Sequence, residues 1–434
     1  MPLTVTDICN DLDSFERDAA CLHHENYGLY RDFYRGGNLP LDYMARNSRE
    51  SRKHWGERRN RLVAINYCAP IVDKLVRAEY SRRVARLVEN PDAQMALDFI
   101  TRHNALHTFQ LRTARQRAID GTCIVQLFWD PAAQTVRLKH VLPEHFFPVC
   151  LADHDRIDAI IIDKSASAAG SQACRGGAPP TGTVEIYTPG EVGVFQQGRR
   201  INDPAETGTR EASYGLLPFV IFNGRRLVGD VFGSSLLRGV AELNHAVNEA
   251  LNNVLEILRF QAFSLLVIQG ALDGLPVDED GRPRLAISES GFLNVDENGR
   301  VYFVDPNPKI SEILAVLEAL IRMMFETGSV PVAAAQPQQS HAESAIARSI
   351  QFMPLIDLVT ELQTFDRESE EELIDKALRV QEVHTGQPLN PGFIDVKFTR
   401  NFLPTDDQTR LQMNIQAMQA GLKTKEQILN ENEE

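Results

Sequence analysis

His103 and His107 stand four residues apart on a stretch with helical periodicity, a spacing that sets two imidazoles on one helix face. A zinc site needs further thiolate, imidazole or carboxylate ligands, and without a nearby cysteine or carboxylate to complete it no metal site is expected. Ser340, His341 and Ser344 bring hydroxyls beside an imidazole, as a nucleophile–base pair would. Nothing in the flanking loop supplies the third, orienting group such a pair requires. Asp406-Asp407 follow Pro404-Thr405 and read more economically as a helix N-terminus than as a metal pair. His23 and His24 are adjacent, hence on different helix faces, and read as surface. Trp55 sits in the basic run 47–61, NSRESRKHWGERRNR, which fits a nucleic-acid patch, an exposed linker or an interface to a neighbouring subunit. Phosphate-binding, dinucleotide, nucleophile-elbow and zinc-protease motifs are all missing; AGLKT at 420–424 lacks the upstream glycine and the Gly-Lys pair of a phosphate loop. The reading is a protein without catalytic residues, cofactor or metal, and not an enzyme.

The elements that would position any such residues are carried by 434 residues, enough for two or three domains. The net charge of −14 argues against a protein that grips nucleic acid through its phosphates, which takes clustered Lys and Arg. Cysteines 9, 21, 68, 123, 150 and 174 show no C-x-x-C pair and read as free thiols. The N-terminal residues show no signal pattern. The most apolar run, 260–275, is broken by Gln261, Gln269, Gly270, Asp273 and Gly274, so no membrane span is expected.

Residues 7–35 read as one helix, 66–80 as a second with Pro70 near its start, and 92–119 as a third. The period then changes to strand-like in GTCIVQLFWD and QTVRLKHVLP, joined by the hairpin signal Asp130-Pro-Ala-Ala, and in RIDAIIIDKS, TVEIYTPGEVGVFQQGRR and LLPFVIFNGR. Residues 165–182 are small, Gly/Pro-rich loop material. The fold class is therefore α+β.

GSSLLRGVAELNHAVNEALNNVLEILRFQ, 233–261, repeats apolar residues at steps of four and three: Leu236, Val240, Leu243, Val247, Ala250, Val254 and Ile257. This narrow seam suits a neighbouring helix. Asn244, Asn248 and Asn252 recur every four residues, and Glu242, Glu249 and Glu256 every seven. Asn costs about 0.7 kcal/mol relative to Ala inside a helix, so the row is either a solvated face or a stripe toward a water-filled space. Hairpin signals Asp280-Gly281 and Asn298-Gly299 follow, then a second apolar helix SEILAVLEALIRMMFETG. The neutral segment VPVAAAQPQQSHAESA comes next, and then a helical pattern from Ile346 to about Val383 containing Pro354, roughly 57 Å long. Within it DRESEEELIDK, 366–376, carries charge on most faces and reads as exposed.

This order of parts resembles the portal proteins of tailed bacteriophages, over roughly 60–405. The resemblance implies a portal-type fold: 1–230 as wing, 231–262 as first stem helix, 263–308 as clip and 309–328 as second stem helix. It makes 329–345 a tunnel loop, 346–385 the long kinked helix of the wing and 386–434 a short crown region. It also implies a ring, typically of twelve copies, at one capsid vertex of the virion, assembled in the host cytoplasm. Double-stranded DNA would pass through it without sequence specificity. Partners would be the terminase large subunit, a head–tail adaptor, and the major capsid and scaffolding proteins, with no membrane. Val332, Ala333, Ala334, Gln336, Gln338, Gln339, Ser340 and His341 would line the channel. Val240, Leu243, Asn244, Val247, Asn248, Glu249, Asn252, Val254 and Glu256 would form the stem's subunit interface or channel face. The alternative is an α+β enzyme with 329–345 as an active-site lid.

Overall fold

The computed structural model describes residues 4–46, 50–150, 156–164, 183–197, 199–202, 214–261, 265–269, 300–304, 310–331 and 345–398. The helices are α1 (Val5–Asn10), α2 (Leu12–Ala20), α3 (Tyr27–Arg35), α4 (Arg52–Arg59), α5 (Cys68–Glu79), α6 (Pro91–His103), α7 (Leu106–Asp120), α8 (Val240–Gln261), α9 (Ile310–Thr327) and α10 (Ala345–Thr385). The strands are β1 (Ala85–Val88), β2 (Thr122–Asp130), β3 (Thr135–Val141), β4 (Phe146–Val149), β5 (Ala159–Asp163), β6 (Thr183–Thr188), β7 (Glu191–Gln196), β8 (Arg199–Arg200), β9 (Phe219–Asn223), β10 (Leu265–Gln269), β11 (Arg300–Val304) and β12 (Ile394–Lys397). They form two compact units: Met1–Arg35, Asn66–Ala241 and Phe325–Glu434 in the first, Gly36–Ile65 and Glu242–Met324 in the second.

In the first unit β2 is buried on both faces, which is why its sequence reads as a continuous apolar run rather than an alternation. Cys123, Val125 and Leu127 face a core shared with Leu373, Ala377 and Val380 of α10. Ile124 faces the opposite way, onto Phe146, Ile160 and Phe232. Pairing is antiparallel in the order β3-β2-β9, and a second sheet runs β4-β5-β6-β7-β8. The β2–β3 turn forms where the sequence placed it: Asp130 Oδ1 accepts the amides of Ala132 and Ala133, and Gln134 takes φ +52°. At Gly121 the backbone must approach Gly233, whose carbonyl oxygen would lie 2.2 Å from an added Cβ. Only glycine fits there.

Two expected helices are broken. The first divides into α1, α2 and α3: Asp11, at φ −125°, separates the first two, and residues 21–26, of which Leu22 and His23 pack against the core, separate the next two. His23, expected at the surface, stacks on Phe232 at 4.5 Å, receives the Tyr27 hydroxyl at Nδ1 and donates from Nε2 to the Phe146 carbonyl. Burial lowers its pKa. The expected 92–119 helix stops at Asn104, whose amide donates to Val136 O and accepts from Leu138 N; Ala105 then turns left-handed with φ +45°. The break falls between His103 and His107, so the shared helix face they required does not exist. His103 instead accepts from Arg137 at 2.8 Å.

The element α10 is 41 residues long with Pro354 inside it, and its polar inner edge holds the first unit together. Arg117, almost wholly buried, donates to both Asp366 and Glu79. The Tyr80 hydroxyl donates to the other Asp366 oxygen at 2.8 Å, while Glu79 Oε2 has no partner. Arg86 grips Glu370 through two bonds of 2.9 Å. Asp366 and Glu370 are therefore core residues, against the expectation that 366–376 is exposed. Burial drives the Asp366 pKa well above the carboxylate range, and the Arg117 charge offsets only part of that. Among the described residues no cysteine forms a disulfide.

Candidate functional site

The second unit contains most of α8 and α9, the 3₁₀ turn Leu39–Tyr43, α4 and the paired strands β10 and β11. Ala, Leu and Glu of α8 favour helix, while its four asparagines do not; Asn253 is exposed, and the other three have partners. They are buried, at 0%, 0% and 5% exposure for Asn244, Asn248 and Asn252, and they read the backbone of an extended strap, residues 62–65. Asn252 Oδ1 accepts Val63 N at 2.9 Å and its Nδ2 donates to Val63 O at 2.7 Å. Asn248 Oδ1 accepts Ile65 N at 2.7 Å, and Asn244 Nδ2 donates to Ile65 O at 2.9 Å. The strap runs antiparallel to α8, and the amides serve it as the edge of a strand would. Four bonds worth about 1 kcal/mol each exceed the roughly 2 kcal/mol of helix propensity that three asparagines cost.

This corrects the reading of the row as a solvated or channel-facing stripe: the chain uses these side chains on itself. The heptad seam is likewise filled already, with Val240 and Val247 fully buried, Val254 at 5% and Leu243 half-buried. Of the glutamates, Glu249 is exposed, while Glu256 approaches His54 at 3.4 Å. The other nitrogen of His54 meets Glu50 at 2.7 Å, and Arg58 bonds the same carboxylate. The basic run is thus a helix in the same unit as most of α8, and one face of Trp55 is covered by the Arg58 guanidinium at 5.0 Å.

The opposite condition holds for α9. Between Ser311 and Met323 no residue is buried, although Ile313, Leu314, Val316, Leu317, Leu320, Ile321 and Met323 fill this stretch. Leu314, Val316 and Met323 are 44%, 57% and 45% exposed, and Leu255 and Leu258 of α8 are 37% and 43%. An apolar helix without cover is an unfinished core. Sequence periodicity had marked the apolar residues of both helices, but it could not tell which seam is filled at home. The strap at 62–65 was missed altogether; the asparagine spacing was its one signal.

The expected channel-lining residues Val332, Ala333, Ala334, Gln336, Gln338, Gln339, Ser340 and His341 lie outside the described residues, as do Ser344, Asp406-Asp407 and both clip hairpin signals. No group of three or more metal-ligating side chains is found among the described residues, and no described helix is long and apolar enough to cross a membrane.

A family model for "Phage portal protein, SPP1 Gp6-like" matches residues 31–433. The chain belongs to that portal family. Solved structures it resembles include "Virion of native gene transfer agent (GTA) particle", at 13% identity over 92% of this chain and 96% of that one, TM-score 0.46. Another is "Neck of native GTA particle computed with C12 symmetry", at 15% identity over 82% and 87%, TM-score 0.47. A third is "Neck of empty GTA particle computed with C6 symmetry", at 16% over the same shares, TM-score 0.47. A search of curated proteins finds no match.

Proposed function

We propose that this chain assembles into a portal ring, of twelve copies, at one capsid vertex, and that the axial hole is the path of double-stranded DNA during packaging and ejection. The observation that carries the reading is the uncovered α9. A helix of that composition needs apolar neighbours, and copies of the chain, with Leu255 and Leu258 exposed on α8, can supply them through a head-to-tail contact that closes on itself. In this reading α8 and α9 are the stem, residues 263–308 the clip, 329–345 the tunnel loop and 346–385 the long helix over the wing. Residues 36–65, through the strap, are an outer brace of the stem. The clip would meet a terminase and later a head–tail adaptor. The wing would meet capsid and scaffolding proteins in the host cytoplasm and then in the virion. Family membership does not favour the enzyme alternative.

Mass measurement on the purified chain tests the ring. Particles near twelve times 48.6 kDa, with an axial hole in negative stain, are expected. A monomer at every concentration and salt condition would sink the proposal.

A further inference from the structure

Lys74 and Arg77 stand three apart on α5, Arg83 follows that helix, and Arg112 lies on α7. Arg77, Arg83 and Arg112 are exposed, and none forms an ion pair among the described residues. Asp73 of α5 already pairs with Arg115 of α7 at 3.2 Å, which sets the two helices side by side, and Arg86 already pairs with Glu370. Three titrating neighbours register the excess of positive charge. Burial lowers the pKa of Lys74, and the Arg77 charge lowers it further. Burial likewise lowers that of His107, helped by Arg83 and Arg86, and that of His140, to about 4, helped by Arg112. A chain of net charge −14 thus gathers cations on one face against their mutual repulsion, which suits an anionic partner from outside the chain.

The complementary face is on α10. Asp357, Glu368 and Asp375 are exposed and Glu371 is half-buried; steps of eleven, three and four keep them on one side of the helix. None of the four forms an ion pair among the described residues. Lys376, Arg379 and Arg225 are held by Glu372, Glu382 and Glu361, and Arg367, about 100° round from Glu368, lies off this line. Like charges three and four residues apart repel, so the row does nothing for the fold of a single copy.

The two faces point apart. Thr113 of α7 bonds His140 of β3 at 2.8 Å, while Lys376 and Ser369 of α10 donate to the Phe219 and Ile221 carbonyls of β9 at 2.6 and 3.2 Å. Those strands are the two edges of the β3-β2-β9 sheet, so the helices cover opposite edges. Where the helices face each other, Arg117 meets Asp366, and Gln110 and Glu370 share Arg86. At about 100° per residue, Arg112 lies roughly 200° round from Gln110, and Glu368 roughly 200° round from both Asp366 and Glu370. Each is turned away from the neighbouring helix.

We infer that the cationic face of α5 and α7 docks on the acidic row of α10 of the next copy around the ring. Resting on the ring reading, this names a contact in the first unit, additional to the stem. Two different faces on opposite flanks make a head-to-tail contact. A DNA duplex would engage the cations alone and be repelled by the row; a second copy accounts for both.

The test uses the full chain. Arg77→Glu with Arg112→Glu, and separately Glu368→Lys with Asp375→Lys, should each leave the thermal transition of the single copy in place, since all four positions are exposed. Each pair should raise the concentration needed for ring assembly by about tenfold or more, because like charges then face each other. Joining all four substitutions exchanges the two signs and should return assembly toward the wild-type concentration, an outcome that loss of folding cannot mimic. Paired variants that assemble as the wild type does would overturn the contact and leave the portal reading intact. A fourfold variant no better than either pair would show that the two faces do not meet, and would overturn it as well. So would wild-type rings that bind duplex DNA through Arg77 and Arg112 while the arginine variant assembles normally. Wild-type chains that never assemble would remove both proposals.

Discussion

A carboxylate at a protein surface is inexpensive, but two of them around one buried arginine are not. Arg117 satisfies one oxygen each of Glu79 and Asp366, and Tyr80 a second Asp366 oxygen, which leaves the cluster one negative charge in excess unless a proton is held. The raised Asp366 pKa follows from burial. The sign of the linkage is then fixed: the folded chain binds the proton more tightly than the unfolded one. Stability from this group is full below the unfolded carboxylate pKa of about 3.9. It is lost as pH rises toward the folded value. Removing the hub, as Arg117→Met, should cost about 3–5 kcal/mol, because the buried Glu79 carboxylate loses its cation and Asp366 loses a donor. Asp366→Asn should cost under about 1 kcal/mol, and its stability relative to wild type should improve as pH is raised. Chemical denaturation at several pH values reads both. A gap that stays constant with pH would show that Asp366 holds no proton. None of this was legible beforehand, since Arg117 and Asp366 lie 249 residues apart and DRESEEELIDK carries no mark of which acids turn inward.

At the level of elements, the β2–β3 hairpin, α8, α9 and the long α10 were legible, because their signals are local: period, turn residues and length. Failures came where a side chain satisfies distant backbone. Asn104 stops α6 in order to complete β3, and the asparagine row of α8 serves a strap nearly two hundred residues earlier in the chain. Local propensity contains no trace of such partners. The strap yields a direct prediction. Asn252→Ala improves helix propensity by about 0.7 kcal/mol, yet it abandons the N–H and C=O of Val63 and should destabilise the second unit by about 1–3 kcal/mol net. Hydrogen exchange should quicken at Val63 and Ile65 while the β2 amides keep their protection. Unchanged exchange at Val63 would mean that the ladder is not what holds the strap. A charge at Val247, fully buried in the single chain, belongs to the same scale: Val247→Asp should unfold α8 before any question of ring assembly arises.

For the whole molecule the governing quantity is charge. Each copy carries −14, so the proposed ring would surround DNA with walls that repel it, while the duplex brings about one negative charge per 1.7 Å of axis. Sliding through such a hole requires that its narrowest lining neither bind nor block. The segment 332–341, VAAAQPQQSH, has no Lys, Arg, Asp or Glu, which suits the tunnel loop proposed above. Gln338→Lys would place one new cation per copy there, a full circle of them in a ring, and each phosphate contact made would have to be broken for DNA to advance. Assembly should be unaffected, because in the proposed ring the stem helices, not residue 338, carry the contacts between copies. Packaging should slow severalfold at low salt and recover as salt screens the contacts over a Debye length of about 8–10 Å. Single-particle packaging assays at two ionic strengths measure this. Rates that match wild type at both strengths would take residue 338 out of the channel lining, whatever the ring itself proves to be.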